Sequence, residues 1–491
     1  MDEFIVLNPD YRLKNDESRI SFSSLEEVSL ISDPNWVSFI HPIQASILSF
    51  FTHGDTFSEC VAKISHFLNI EKQKVEFILA PYIENENAFF TEWESFEIWF
   101  PKNVLIRSKK NTLTNTPVSL NYLNCETIDL SKDRFIRGPQ SITLMLNNKC
   151  VTNCKYCYAD KYTKTKEMST RKILNLIDEA KRLEVDQINI IGGEVFLKKD
   201  WDLILTKLVE NKMSPGYIST KFPISLEMVK RLKNSGYDNV VQVSLDSLNE
   251  QTLHDLIGVS NNYKEKIIQG IKLLQDFGFK IQINTILSKY NSTIEEINSL
   301  HKLVKSIQNL VYWEIRVPNK SIYSKDFESV KPMLDQINVV FDHLEKNLKP
   351  KTNINILLNK DVVDQEFNCE KCSGDTFGGG VCGALYSGLF ILPDGKVTLC
   401  EELYWHPQFI VGDLYSKSLQ EIWKSKEAIS FLNISREFIG KDSICGKCSS
   451  FQTCSESHKR CWLRIVRAYG ADKWNYPDPL CEKAPLVSSL Y

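Results

Sequence analysis

Cys150, Cys154 and Cys157 stand in one short run, Cys-Val-Thr-Asn-Cys-Lys-Tyr-Cys. Three thiols this close can hold one face of an iron–sulfur cubane and leave one iron open for catalysis, or hold a zinc ion that borrows a fourth ligand elsewhere. Nine more of the 14 cysteines crowd the end of the chain: Cys369, Cys372, Cys382, Cys400, Cys445, Cys448, Cys454, Cys461 and Cys481. Disulfides, zinc ribbons or further clusters would each use such a set. Disulfides need an oxidising compartment. The first residues, Met1-Asp2-Glu3-Phe4-Ile5, show no basic signal-peptide start, and no run approaches the ~18 apolar residues of a membrane span. The expected location is therefore cytoplasmic, with reduced thiols and no membrane partner. Cys60 and Cys125 are isolated, and Cys60 reads as a small core residue in an apolar helix. The eight His are scattered without paired spacing.

Elements that could position these thiols follow from periodicity. From about residue 140 the chain alternates strands and helices. The strand candidates are 141–146, 187–191, 216–220, 240–245, 280–287 and 311–317. Helical patterns fill the gaps at 170–183, 197–210, 225–234, 263–277 and 293–307, and 328–347 follows the last strand. This grammar predicts a parallel sheet with helical cover, either doubly wound or a partial barrel, whose chemistry lies at the C-terminal strand ends. The Cys150 run directly follows the first of these strands. Gly192-Gly193-Glu194 ends the second, and Ser244 with Asp246 ends the fourth. Alone, a Gly-Gly-Glu is often only a turn, and Ser244 or Asp246 could cap the next helix. After about 360 regular patterns fade, apart from a hairpin around Pro393-Asp394-Gly395 and helices near 418–423 and 461–469. A Cys-rich region with so little periodicity is expected to need metals to hold its fold.

Residues 1–95 read as a small α+β module. Phe4–Leu7 and Tyr11–Leu13 flank an Asn8-Pro9-Asp10 turn and suggest a hairpin, with a third strand at Arg19–Phe22. Helical patterns follow at 42–51, 56–68 and 71–80, and aromatic stretches at 89–90 and 96–100 suggest a wing. Residues 107–135 are polar and irregular, as a linker would be. Composition sets outer bounds. The chain has 491 residues, is 43% hydrophobic, and its Lys+Arg 59 against Asp+Glu 62 leave a net charge of −3. That is a soluble globular balance, without the basic excess that nucleic acid would need as a partner.

Cys-x3-Cys-x2-Cys, with Tyr156 before its last cysteine, resembles the signature of the radical S-adenosylmethionine (SAM) superfamily. The resemblance implies a partial (β/α)6 barrel in which Cys150, Cys154 and Cys157 bind a [4Fe–4S] cluster, and SAM chelates the open iron through its amino and carboxylate groups. It implies SAM contacts at Tyr156, Gly192, Gly193, Glu194, Ser244, Asp246 and Asn284. Val195 stands where the family's Gly-Gly-Glu-Pro motif has proline. His254–Gly258 and Thr285 match family positions more loosely. Cys382, Gly395, Cys400 and the Cys445–Cys448–Cys454 run resemble a SPASM domain, which implies two auxiliary [4Fe–4S] clusters. Cys445, Cys448, Cys454 and Cys481 would hold one. Cys382, Cys400 and Cys461 would hold the other, with Cys369 or Cys372 as its fourth ligand. The gap between Cys454 and Cys461 is wider than the family's. Four-Cys zinc sites would fit the count equally well.

The amino-terminal pattern resembles a winged-helix RiPP recognition element, which binds the leader of a ribosomally made precursor peptide. The implied organisation is a leader-binding module at 1–105, a linker at 106–138, the barrel at 139–350 and the SPASM domain at 351–491. Arg19–Phe22 is the expected edge strand for the leader. The implied function is a radical SAM peptide maturase with three [4Fe–4S] clusters, a precursor peptide as substrate, and flavodoxin or ferredoxin as electron donor. A thioether from Cys sulfur to carbon is the expected product. Carbon–carbon cross-linking, epimerisation and formylglycine formation are the alternatives, and a zinc-stabilised peptide-binding protein is the alternative from another class.

Overall fold

A computed structural model describes residues 3–25, 31–109, 116–132, 134–359, 382–456 and 460–485. It divides into two compact units, Met1–Arg137 and Gly138–Tyr491. Cys369 and Cys372 lie outside the described residues.

Unit 1 contains β1 (Ile5–Leu7), β2 (Tyr11–Asn15), β3 (Ile20–Ser24), β4 (Val37–Ile40), α1 (Pro42–Ser49), α2 (Phe57–Leu68), α3 (Lys72–Leu79), β5 (Phe89–Trp93), β6 (Phe96–Phe100) and β7 (Leu105–Arg107). Its helices start where local chemistry says they should. Pro42 opens α1, and His41 and Gln44 cap it reciprocally. Thr56 and Glu59 do the same for α2. Ile20, Phe22, Leu48, Phe51, Val75 and Phe100 share its core.

Three expectations for this unit need correction. β1 does not form a hairpin with β2 but pairs antiparallel with β7. Asn8 at the intervening turn spends its side-chain amide on Asn103 O, 3.0 Å away, and so ties the start of the unit to its end. β3 is the centre of the sheet β2-β3-β4, so Arg19–Phe22 has both sides paired and offers no edge; β2 and β4 are the edges. The stretch read as a linker is built into the unit. β7 runs into its start, Leu123 joins the core, and the backbone N–H groups of Ile136 and Arg137 each donate to Asp16 at 2.9 Å. Polarity there reflects hydrogen bonding to the unit.

Unit 2 begins with β8 (Ser141–Met145), α4 (Thr170–Arg182), β9 (Gln187–Ile191), α5 (Trp201–Glu210), β10 (Tyr217–Thr220), α6 (Leu226–Asn234), β11 (Val240–Ser244), α7 (Glu250–Ile257), α8 (Tyr263–Asp276), β12 (Ile281–Ile286), α9 (Ile294–Val304), β13 (Leu310–Arg316), α10 (Leu334–His343) and β14 (Ile356–Asn359). It ends with β15 (Gly388–Ile391), β16 (Lys396–Thr398), β17 (Ile410–Asp413), α11 (Leu419–Trp423), α12 (Lys426–Ser430), α13 (Phe451–Glu456) and α14 (Trp462–Tyr469).

The strands fall in two ladders, β10-β11-β12-β13-β14 and β17-β16-β15-β8-β9. All pairs from β10 to β14, and β15-β8-β9, are parallel. The six expected strands β8–β13 are thus present, flanked by two more parallel strands: β14 beside β13 and β15 beside β8. β15 also begins the hairpin expected at Pro393-Asp394-Gly395, so the cysteine-rich region grows out of the barrel sheet. One face of each strand packs under the helices through side chains such as Ile142, Leu144, Ile188, Val241, Ile283 and Trp313. The other face is unusually polar: Gln242 and Gln282 lie in register, and so do Ser244, Asn284 and Glu314. A barrel interior that keeps buried amides and a carboxylate is shaped for a polar ligand, because such groups need partners.

Candidate functional site

The Cys150–Cys157 loop hangs from the C-terminal end of β8 and is fixed from three sides. Asn147 forms the first anchor. Its carbonyl accepts the Gly193 N–H at 2.9 Å. Its side chain accepts the Lys149 N–H and donates to Glu194 O, both at 2.9 Å. On the second side Asn153 and Lys155 donate backbone N–H groups to Ile257 O (2.7 Å) and Leu256 O (3.0 Å). Gly258 ends α7 there with φ +68, and a Cβ on it would meet Asn153 Cβ at 3.2 Å. The loosely matched His254–Gly258 stretch therefore supports the loop. On the third side Ser324 Oγ donates to Cys157 O at 2.6 Å. The Thr152 hydroxyl lies 3.3 Å from Cys150 Sγ and 3.2 Å from Cys154 Sγ. Cys150 is exposed, Cys157 half-buried and Cys154 buried. Burial pushes the Cys154 thiol up to about 11 and the Cys157 thiol up as well, so loading iron there must drive proton loss.

Gly193 has no room for a side chain: a Cβ would lie 2.2 Å from Lys149 O, inside the cluster loop. Gly193→Ala is expected to displace that loop. Reconstituted protein should lose roughly four irons, one cubane's worth, and with them SAM cleavage, as iron analysis and 5′-deoxyadenosine production would show.

Glu194 bridges the gap between β9 and β10. Its carboxylate accepts from Thr220 Oγ1 at 3.0 Å and from the Lys221 N–H at 3.1 Å. Burial pushes it up to about 7 against those hydrogen bonds. Asp246 is fully buried and receives Tyr156 OH at 2.5 Å and Lys221 Nζ at 2.7 Å. Neither Ser244 nor Asp246 caps α7; Asn249 does, accepting from the Thr252 N–H. Ser244 and Asn284 sit side by side on the polar inner face, receiving hydrogen bonds from Gln242 (3.0 Å) and Gln282 (2.7 Å). The structure thus brings Cys150, Cys154, Cys157, Tyr156, Gly193, Glu194 and Asp246 into one connected site. Sequence reading missed Asn147, Thr220, Lys221 and Asn291, whose amide holds Asp246 O at 2.7 Å. All four follow or end barrel strands, and that position was the available signal.

The late cysteines separate into two groups. Cys445, Cys448, Cys454 and Cys481 act on one another's thiols and open into one cavity with Asp478, whose wall also includes Cys382. Cys461 neighbours Cys382 and Cys400. Cys454 lies in α13, and Cys461 directly precedes α14, where its N–H donates to Asp478 at 2.9 Å. Among the described residues no three His, Cys, Asp or Glu close on a point that could hold a single metal ion. Four cysteine thiolates are the donor set that a [4Fe–4S] cluster takes, and the Cys445, Cys448, Cys454 and Cys481 group supplies four. Arg460 Nη2 reaches Cys445 Sγ at 3.2 Å, a charge suited to a thiolate.

Comparison with known proteins matches residues 144–304 to the Radical SAM superfamily and residues 382–449 to the SPASM iron–sulfur cluster-binding domain. The chain carries a radical SAM domain followed by a SPASM domain. It is a radical SAM enzyme, with a [4Fe–4S] cluster and SAM at the first domain and auxiliary iron–sulfur clusters at the second. The zinc-stabilised alternative gives way to that assignment. PqqA peptide cyclase of Granulibacter bethesdensis is 20% identical over 358 residues, 71% of this chain and 89% of that protein. GTP 3',8-cyclase of Psychromonas ingrahamii is 30% identical over 162 residues, but these are only 32% of this chain and 47% of that protein. Among solved structures, Streptococcus suis SuiB aligns with a TM-score of 0.62 at 17% identity, over 97% of this chain and all of that one. SuiB has also been solved bound to a precursor peptide, SuiA, and that structure aligns at a TM-score of 0.60.

Proposed function

We propose that this radical SAM enzyme is a maturase of a ribosomally made precursor peptide, and that it joins a Cys sulfur of that peptide to a carbon. The observation that carries the reading is the joining, within unit 2, of a thiol loop at the barrel mouth to a cysteine-rich region on the same sheet. Resemblance to PqqA peptide cyclase and to SuiB, solved with its precursor peptide, supports a peptide substrate over a nucleotide, since those matches span 71% and 97% of this chain against 32% to 55% for GTP 3',8-cyclases. Bound SAM and its reduced cluster would supply a hydrogen-abstracting 5′-deoxyadenosyl radical. The chain's own task is to hold and orient. Cys150, Cys154 and Cys157 would hold the cluster, and Glu194 would accept from the SAM amino group. The Ser244–Asn284 layer lines the polar interior. Flavodoxin or ferredoxin is the proposed donor of the electron. The two late cysteine groups, with Cys369 or Cys372 completing one, hold two auxiliary clusters that bind the substrate thiolate or take up an electron.

Mass analysis tests the product. The peptide to use is a short Cys-rich one encoded beside this gene, incubated anaerobically with SAM and a reductant. A thioether removes two hydrogens and one alkylatable thiol. Loss of two hydrogens with every thiol still alkylatable would mean a carbon–carbon bond. Unchanged mass with solvent deuterium incorporated would mean epimerisation.

Unit 1 is the proposed leader-binding module. Its β4 edge offers unpaired backbone to an extended leader, with the exposed Val37 at its start. Deleting residues 1–137 is expected to weaken precursor binding at least about tenfold while iron content and SAM cleavage persist. Fluorescence polarisation with a labelled leader would show it, and unchanged affinity would retire the leader-binding role.

A further inference from the structure

Lys221 is a charged group at the thiol loop that no sequence motif announced, as is Lys161, whose ammonium donates to Cys154 O at 3.2 Å. Lys221 follows β10 directly, and its ammonium lies 2.7 Å from Asp246 Oδ2 with only 14% of the side chain exposed. It stands 5.5 Å from the centre of the Tyr156 ring, and Tyr156 lies in the chain between Cys154 and Cys157. Burial alone would lower the ammonium's pKa, but Asp246 and Cys154 outweigh burial and push it up. The lysine is therefore a permanent cation.

The carboxylate partner does not cancel that cation at the thiols. Asp246 shares its charge among Tyr156 OH, Lys221 and the Ile286 N–H, which donates to Oδ1 at 2.9 Å. Asp246 thus spreads its charge over two oxygens and three donors, whereas the Lys221 charge stays on one ammonium beside the Tyr156 ring. A cluster held by thiolates gains one negative charge on reduction. Its potential follows net charge and nearby hydrogen bonds, and a buried cation acts through a low dielectric.

We propose that Lys221 is a positioning residue and fixed counter-charge for the SAM-binding cluster, favouring its one-electron reduction by a low-potential one-electron donor. Asp246, pinned by Asn291 and Ile286, holds the ammonium in place. The electron comes from the donor, and no bond to Lys221 forms or breaks. This inference rests on the radical SAM domain and is independent of the peptide substrate.

The test is a dithionite titration of the reconstituted full-length enzyme, followed by electron paramagnetic resonance without peptide. The signal of the Cys150→Ala, Cys154→Ala, Cys157→Ala protein is subtracted to remove the auxiliary clusters. In Lys221→Gln and Lys221→Met the reduced-to-oxidised ratio, at the potential that half-reduces the wild-type cluster, should fall by about tenfold or more. Lys221→Arg, which keeps the charge, should stay near wild type, and the auxiliary signals should not move. An unchanged ratio in the neutral variants, or an equal shift in Lys221→Arg, overturns the proposal. Iron analysis decides the case where the neutral variants lose the cluster. Retention in Lys221→Arg then supports the counter-charge, and loss in all three variants overturns it.

Discussion

Replacing Cys150, Cys154 and Cys157 together by alanine is expected to abolish SAM cleavage and leave the auxiliary iron in place. The two parts of this result have separate physical causes. The three thiols are the only cysteines at the barrel mouth among the described residues, and Thr152 spans two of them. With the thiols gone, nothing there can hold iron, and without a cluster no electron reaches SAM. The late cysteine groups draw their support from other residues. Asp478 holds the Cys461 N–H and also pairs with Arg464 at 3.0 Å. Gly440 accepts the Ser443 N–H just before Cys445. None of these contacts passes through the 150–157 loop. Iron analysis should therefore fall by roughly four atoms per chain, with the brown colour weakened but present. Anaerobic incubation with dithionite should then give no 5′-deoxyadenosine. Surviving cleavage would place the radical chemistry elsewhere. Complete loss of iron would mean that the two regions load as one.

The barrel was legible because its signals are local. Four strands, β8, β10, β11 and β12, lead to a helix cap whose chemistry is explicit, as Ser169, Ser225, Asn249 and Thr293 show by accepting N–H groups at the starts of α4, α6, α7 and α9. The thiol loop and Gly192-Gly193-Glu194 were legible for a similar reason, being short motifs at strand ends. What stayed hidden depends on distant partners. β1 reads as half a hairpin until β7, about a hundred residues later, turns out to pair with it. Arg19–Phe22 alternates like an edge strand, but the pairing of β4 makes it central. β15 joins β8 across more than two hundred residues, which no periodicity records. Lys221 and Asn147 look like surface polar residues in a one-dimensional reading. Only the convergence of β8, β9, β10 and β11 turns them toward Glu194 and Asp246.

Glu194→Gln is expected to cost SAM affinity in a pH-dependent way. The wild-type carboxylate is buried and pushed up to about 7, whereas a solvated glutamate titrates near 4.5. Between those values the folded protein holds a proton that the unfolded chain releases. This group therefore favours the fold below that window and ceases to do so as pH rises through 7. SAM binding runs the other way. The SAM amino group proposed to meet Glu194 would donate hydrogen bonds, and an ionised carboxylate accepts them best. Below about 7, binding must first remove the proton from Glu194. The ratio of wild-type to Glu194→Gln affinity should then rise by up to about tenfold per pH unit to near pH 7, and level off above it. Taking the ratio removes other titrations that both proteins share, including that of SAM itself. On the plateau, losing one charge-assisted hydrogen bond of about 1.5–3 kcal/mol corresponds to roughly 10- to 150-fold weaker binding. Equilibrium dialysis of labelled SAM between pH 5.5 and 8.5 would measure it. Thr220 and the Lys221 N–H, which hold the carboxylate at 3.0 and 3.1 Å, should keep the glutamine in the same place. A constant ratio would therefore mean that the charge of Glu194 does not reach SAM, and that its role is to bridge β9 and β10.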